Sequence, residues 1–147
     1  MSAGNRTQSQ PVDKLALGRQ MVRKFVGDKH VDAVAASMKR DYFSAVSEEF
    51  ISEVCWSGYA RPGLEFKERA LMNIAMLTAL GRGPELRIHI RCAVYNGFTE
   101  EKVAEACRHA MVYCGVPAGR DALIIASEVF QELRESGDYL PKSDTDP

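Results

Sequence analysis

Apolar residues recur at intervals of three and four along almost the whole chain, and no stretch alternates convincingly with period two. That pattern supplies helix stripes and no sheet face, so it predicts an all-α fold. Glycine and proline divide the pattern into about six to seven helices of a compact domain.

The first predicted helix runs from about Val12 to Phe25, with Leu15, Met21, Val22 and Phe25 apolar. Gly27 ends it, and Asp28 is expected to cap a short second helix carrying Val31, Val34, Ala35 and Met38. Asp41 starts a third, whose stripe is Phe43, Val46, Phe50 and Val54 and which breaks at Ser57-Gly58. Arg61-Pro62-Gly63 reads as a turn. The next helix, from near Glu65 to Leu80, is apolar nearly all round beyond Ala70 and is expected to be the buried central helix. Pro84 suits the first turn of a helix ending at Asn96 and Gly97. Thr99 is then an N-cap followed by Glu100 and Glu101, with Phe98 placed to staple Val103. Gly115 ends that helix. Pro117 opens the last one, with Leu123, Ile124, Ala126, Val129, Phe130 and Leu133 apolar.

A chain of 147 residues suits one domain, read here as residues 11–137 between flexible polar tails 1–10 and 138–147. Lys+Arg number 19 against 20 Asp+Glu, so no basic field offers itself to nucleic acid or to a membrane surface. No apolar run is long enough to span a bilayer, and Met1–Gln10 lacks a signal core, so the expected address is cytoplasmic. Cys55, Cys92, Cys107 and Cys114 form no Cys-x-x-Cys pair and no His/Cys zinc spacing. They are expected to be reduced, mostly buried thiols, and no metal site is expected.

Chemistry-bearing residues gather in two places. Glu85 and His89 are one helical turn apart, so their side chains are expected to meet. A carboxylate beside an imidazole favours the imidazolium and could orient a general acid. His89 lies at the edge of the stripe formed by Leu86, Ile90, Ala93, Val94 and Gly97, which suits a pocket wall; a boundary histidine with one surface hydrogen bond is the competing reading. Arg87 and Arg91 lie on the more polar side of the same helix, where one of them could clamp a substrate carboxylate, with a solvated face or an intersubunit ion pair as the competing reading. Arg61 follows Trp56 and Tyr59 in the rigid Pro-Gly turn. A fixed guanidinium beside an aromatic wall fits a planar, anionic ring, and equally a loop arginine packed on an aromatic. His109, off its helix stripe, reads as a structural or interface residue, and His30 as a surface residue. Asn73 is polar inside an apolar helix, so it needs a partner or lines the pocket.

The segments Arg61-Pro-Gly-Leu, Glu85-Leu-Arg-Ile-His-Ile-Arg91, Asn96-Gly-Phe-Thr99 and Tyr113-Cys-Gly-Val-Pro-Ala118 together resemble the carboxymuconolactone decarboxylase family, and the resemblance extends from about Leu15 to Leu133. It implies an all-helical domain in ring-like homo-oligomers, trimers or hexamers. It also implies a carboxy-lyase that needs no metal or organic cofactor and acts on a small anionic lactone such as γ-carboxymuconolactone, giving an enol-lactone. In this reading His89 and Glu85 are catalytic, and Arg61, Trp56, Tyr59 and Arg87 bind substrate. The chain departs from the family in a shortened Trp56–Arg61 segment, with Tyr59 where a second tryptophan is usual, and in Cys92 where Gly or Ala is usual. Disulfide reductases related to the family carry two cysteines and a glutamate, which fall on Arg82, Glu85 and Ala70, so thiol chemistry is not expected. Two rival readings stay open: a cofactor-free cyclase, dehydratase or isomerase of a ring compound, and a non-catalytic oligomeric binding protein.

Overall fold

Seven α-helices, and no strand, make up the computed structural model over the residues it describes, 12–139. They are α1 (Lys14–Val26), α2 (Asp28–Ser37), α3 (Tyr42–Phe50), α4 (Phe66–Ala79), α5 (Gly83–Tyr95), α6 (Glu100–Cys114) and α7 (Val116–Glu135). α3 does not break at once. It runs into a π-helical turn, Ile51–Cys55, and then a 3₁₀ turn, Trp56–Ala60. The tail residues 1–11 and 140–147 lie outside the described residues.

The caps follow the local sequence chemistry. The side chains of Asp13, Asp41 and Thr99 accept from the backbone N–H of Ala16, Ser44 and Lys102. The Glu65 N–H donates to the Glu68 carboxylate at 2.7 Å, closing the first turn of α4. One expected cap moves: Gly27, not Asp28, is the N-cap of α2. Gly27 has φ +93°, and a Cβ there would meet the Tyr95 ring at 2.8 Å, so glycine is required twice over. Asp28 instead accepts from Arg23 at 2.8 Å.

α4, α5, α6 and α7 surround one core in which Ile74, Leu86, Ile90, Val103, Val129 and Phe130 are fully buried. Phe98 and Val103, the expected staple pair, both belong to it. α1 joins this core through Phe25 and covers the π and 3₁₀ turns. That crossing is close: a Cβ on Gly18 would lie 1.8 Å from the Ser52 carbonyl oxygen.

Three expectations about burial are corrected. Only Ala70, Ile74 and Thr78 of α4 are buried, while Met72, Met76 and Leu80 are exposed, so one flank of the supposed central helix faces outward. The stripe Phe43, Val46, Phe50, Val54 is also exposed, Phe43 at 81%, as is Ile124 of α7. A helix stripe ordinarily faces the chain's own core, whereas among the described residues these faces are exposed. Of the cysteines, Cys92 and Cys107 are buried but Cys55 and Cys114 are exposed, and all four are free. At the C-terminal boundary the docked chain runs past residue 137. The Lys29 ammonium bonds Asp138 at 2.7 Å, and Tyr139 packs edge-on against Phe130.

Candidate active site

A 3₁₀ helix has three residues per turn, so positions three apart eclipse. Trp56 and Tyr59 therefore project from the same side of their turn, with ring centroids 4.8 Å apart. Both lean on Phe25 of α1, at 5.9 and 4.9 Å, and Phe66 of α4 completes the cluster at 5.6 Å from Phe25. The π turn before them matters for this placement. Its Ser52 passes beneath Gly18 of α1, and the 3₁₀ turn that follows delivers the two rings onto Phe25.

His89 of α5 meets this wall, 6.1 Å from the Phe25 ring. Its Nδ1 is 3.2 Å from the Asn73 amide nitrogen on α4, and the same nitrogen donates to the Tyr59 hydroxyl at 2.8 Å. The site is thus a chain of polar groups, Tyr59–Asn73–His89, set into aromatic surroundings. An amide nitrogen can only donate, so Nδ1 of His89 accepts and the proton of the neutral ring belongs on Nε2. His89 Nε2 has no hydrogen bond among the described residues and is not fully enclosed by them.

Burial holds the His89 imidazole below its ordinary pKa of 6.5. Burial also raises the Tyr59 phenol, and the Asn73 hydrogen bond only partly offsets this. Near neutral pH the site therefore presents a neutral imidazole and an intact phenol. The Cys92 thiol, one turn from His89 on the buried side, is pushed up to about 12 by burial, which leaves it without thiolate character.

His89, Trp56 and Tyr59 thus come together, and Asn73 finds the partners it needed. The other expected site residues do not join them as foreseen. Glu85 does not meet His89: its carboxylate pairs with Arg82 and is held below its ordinary pKa by that hydrogen bond. An i−3 arginine in a glycine turn reaches it more easily than the i+4 imidazole, whose Nδ1 is already taken by α4. The imidazolium expected from a Glu85 contact is therefore replaced by a neutral ring. Arg87 is spanned by Glu128 and Glu132 of α7, and Glu132 also holds Arg91, so these arginines tie α5 to α7. They form ion pairs within the chain, an arrangement different from the substrate clamp, solvated face or intersubunit pair that the sequence suggests. Arg61 is exposed, and its Nε donates to the Gly58 carbonyl at 3.3 Å. His109 is exposed and stacks on Tyr113. His30 is half-buried rather than superficial, beside Arg91, in a cleft of about 290 Å³ that His89 does not line.

One residue escaped the sequence reading. The Arg69 guanidinium lies 5.3 Å from the Tyr59 ring centre and donates to the backbone carbonyls of Arg61 (3.0 Å) and Leu64 (3.2 Å). It pins the Pro-Gly turn against the aromatic wall. Its signal was available: Arg69 lies one turn before Asn73 on the same helix, at the start of its apolar stretch. Neither Arg61 nor Arg69 has a carboxylate partner among the described residues, so positive charge remains beside the wall.

The larger surface grooves lie elsewhere. One of about 410 Å³ runs between α4 and α6, lined by Leu71, Met72, Lys102, Glu105 and His109. Its Lys102, Glu105 and His109 form no hydrogen bonds with one another among the described residues, whereas Tyr59, Asn73 and His89 are linked in a chain, so the chemistry, not the concavity, marks the site. No group of three or more His, Cys, Asp or Glu side chains able to hold a metal occurs among the described residues. None of the described helices is long and apolar enough to cross a membrane.

Comparison with known proteins agrees with this architecture. Residues 47–128 match the carboxymuconolactone decarboxylase family. The chain is 37% identical to a 4-carboxymuconolactone decarboxylase of Acinetobacter baylyi, over 79% of this chain and 86% of that protein. It is 35% identical to a nitrosuccinic acid decarboxylase of Metarhizium robertsii, over 66% of this chain and 68% of that protein.

Proposed function

This chain belongs to the carboxymuconolactone decarboxylase family, and on that footing we propose that it is a cofactor-independent carboxy-lyase for a small anionic ring compound, a carboxylated lactone such as 4-carboxymuconolactone. The names of the two relatives share one chemical feature. Each substrate has a carboxylate together with an electron-withdrawing group, a lactone in one and a nitro group in the other. Such a group accepts the electron pair that the departing CO₂ leaves behind, so the protein has only to bind the anion, stabilise the new charge and deliver a proton.

The observation that carries this reading is a histidine with Nδ1 engaged and with Nε2 unpaired and no carboxylate against it among the described residues, beside an aromatic wall and two arginines that none of those residues' carboxylates pairs. A neutral Nε2–H is a hydrogen-bond donor for the lactone oxygen on which charge develops, a contribution of about 3 kcal/mol for one well-placed donor. Trp56 and Tyr59 would flank the ring, and Arg61 would hold a carboxylate. Glu85 would act on the site only at a distance, by fixing Arg82 and the start of α5. Arg87 would serve stability rather than substrate.

The domain is proposed to span residues 11–137 together with Asp138 and Tyr139, which dock on it. Exposed Phe43, Phe50, Leu80, Val112, Tyr113 and Val116 support a homo-oligomer, a trimer or hexamer, since apolar surface of this extent favours a partner. Quantifying CO₂ against product for 4-carboxymuconolactone and for nitrosuccinate tests the reaction. One CO₂ per product from the lactone is expected. Ring products without CO₂ would replace decarboxylation by isomerisation or cyclisation, the reading that the shortened Trp56–Arg61 segment favours.

A further inference from the structure

We propose that Asn73 is the positioning residue of this site: its one amide nitrogen holds His89 as the Nε2–H tautomer and leaves the Tyr59 proton free, making the Tyr59 hydroxyl the proton source of the reaction. The role of Asn73 rests on geometry alone, while that of Tyr59 deepens the decarboxylase reading and rests on it.

The amide nitrogen carries two hydrogens, and the structure gives each an acceptor, Tyr59 Oη at 2.8 Å and His89 Nδ1 at 3.2 Å. Both acceptors are thereby turned into oriented donors. The Tyr59 oxygen accepts from Asn73 and makes no other hydrogen bond among the described residues, so its own O–H points away from Asn73. His89, with Nδ1 filled, offers only Nε2–H. Neither ring swings freely, because Tyr59 is packed between Trp56, Phe25 and the Arg69 guanidinium, and His89 against Phe25. The charged and titratable groups around the pair are few: Arg69 over the Tyr59 ring, Cys92 on the buried side and Cys55 behind Tyr59. Glu85, one turn before His89, is neutralised by Arg82.

The two donors divide the work. The bond between the ring carbon and the carboxylate breaks, CO₂ leaves, and its electron pair moves into the ring to the lactone oxygen, which accepts a hydrogen bond from His89 Nε2–H. The charge then returns to carbon, which takes the Tyr59 proton. The resulting tyrosinate is stabilised by the Asn73 N–H and by Arg69, and it regains a proton from solvent. The net change is loss of CO₂ and uptake of one solvent proton, with no oxidant or reductant. A neutral imidazole is a poor proton donor to carbon, and this is why a second donor is needed beside it.

Nitrogen-15 NMR of histidine-labelled protein reads the tautomer without any substrate. Wild type is expected to show an unprotonated Nδ1 and a protonated Nε2 at His89. Asn73→Asp places an acceptor on Nδ1, so it should switch the ring to Nδ1–H and raise its titration midpoint above the wild-type value. An Nδ1–H signal in the wild type, or no change in Asn73→Asp, would overturn the positioning role; should Asn73→Asp not fold, the wild-type spectrum and Asn73→Ser decide it. For the proton source, Tyr59→Phe keeps the ring and its packing. It is expected to lower kcat about 100-fold or more with KM nearly unchanged. Wild-type kcat in Tyr59→Phe would overturn that role. Absence of CO₂ release by wild type would remove it together with the decarboxylase reading, while the NMR result would still decide the role of Asn73.

Discussion

Gly18→Ala is the sharpest test of how the aromatic wall is held. The added methyl would lie 1.8 Å from the Ser52 carbonyl oxygen, 2.6 Å from its carbonyl carbon and 3.2 Å from its Cα. All three are backbone atoms, so no side-chain rotation relieves the clash. Either α1 or the π turn has to move, and Trp56 and Tyr59 begin where that turn ends. Overpacking typically costs about 1–3 kcal/mol, and a rigid obstacle places this case in the upper half, about 2–3 kcal/mol. For a chain of this length that lowers Tm by about 4–12 °C. Gly63→Ala is the control, since nothing lies within 4 Å of its Cβ position and its φ is not positive. Thermal melts followed by far-ultraviolet circular dichroism, with tryptophan fluorescence reporting on Trp56, would measure both variants. Gly18→Ala melting within about 1 °C of wild type would refute the close crossing and, with it, the account of how the wall is placed.

Other outcomes follow from the same structure. In the folded protein, Cys55 and Cys114 should react readily with an aromatic disulfide reagent. Cys92 and Cys107, buried and pushed up to about 12 and about 11, should react only after unfolding. Arg87→Met removes the Glu128 and Glu132 pairs, which are partly solvent-screened, so it should cost at most about 1 kcal/mol in urea unfolding and leave KM unchanged. A large KM effect would return Arg87 to the substrate site. His89 binds its proton less readily in the fold than in the unfolded chain, whose value is near 6.5. The stability this withholds is intact above 6.5 and falls as pH drops from there to the lowered folded value, below which both states are protonated. His89→Gln should flatten that part of a pH–stability curve.

The helical layout was legible in the sequence because glycine, proline and capping residues act locally. Asp13, Asp41 and Thr99 need only their own first turn to do their work. Much of the candidate site was legible too: His89 at a stripe edge, two aromatics before a Pro-Gly turn, and a polar Asn73 in an apolar helix. The pairings were harder to foresee because spacing within one helix says nothing of what another helix brings. Asn73 of α4 takes the Nδ1 that Glu85 might have used, and α7 supplies the carboxylates for Arg87 and Arg91. Apolar periodicity likewise identifies a face without saying what covers it, and Phe43 and Phe50, on one such face, are exposed among the described residues.

The central claim is that His89 serves a decarboxylation. It is tested most directly by timing CO₂ release from 4-carboxymuconolactone with purified wild type and His89→Ala, both shown to be folded and treated with chelator. The account predicts catalytic release by wild type and loss of roughly 100-fold or more in the variant, the scale of one removed oxyanion donor. Equal release by the two proteins would contradict it.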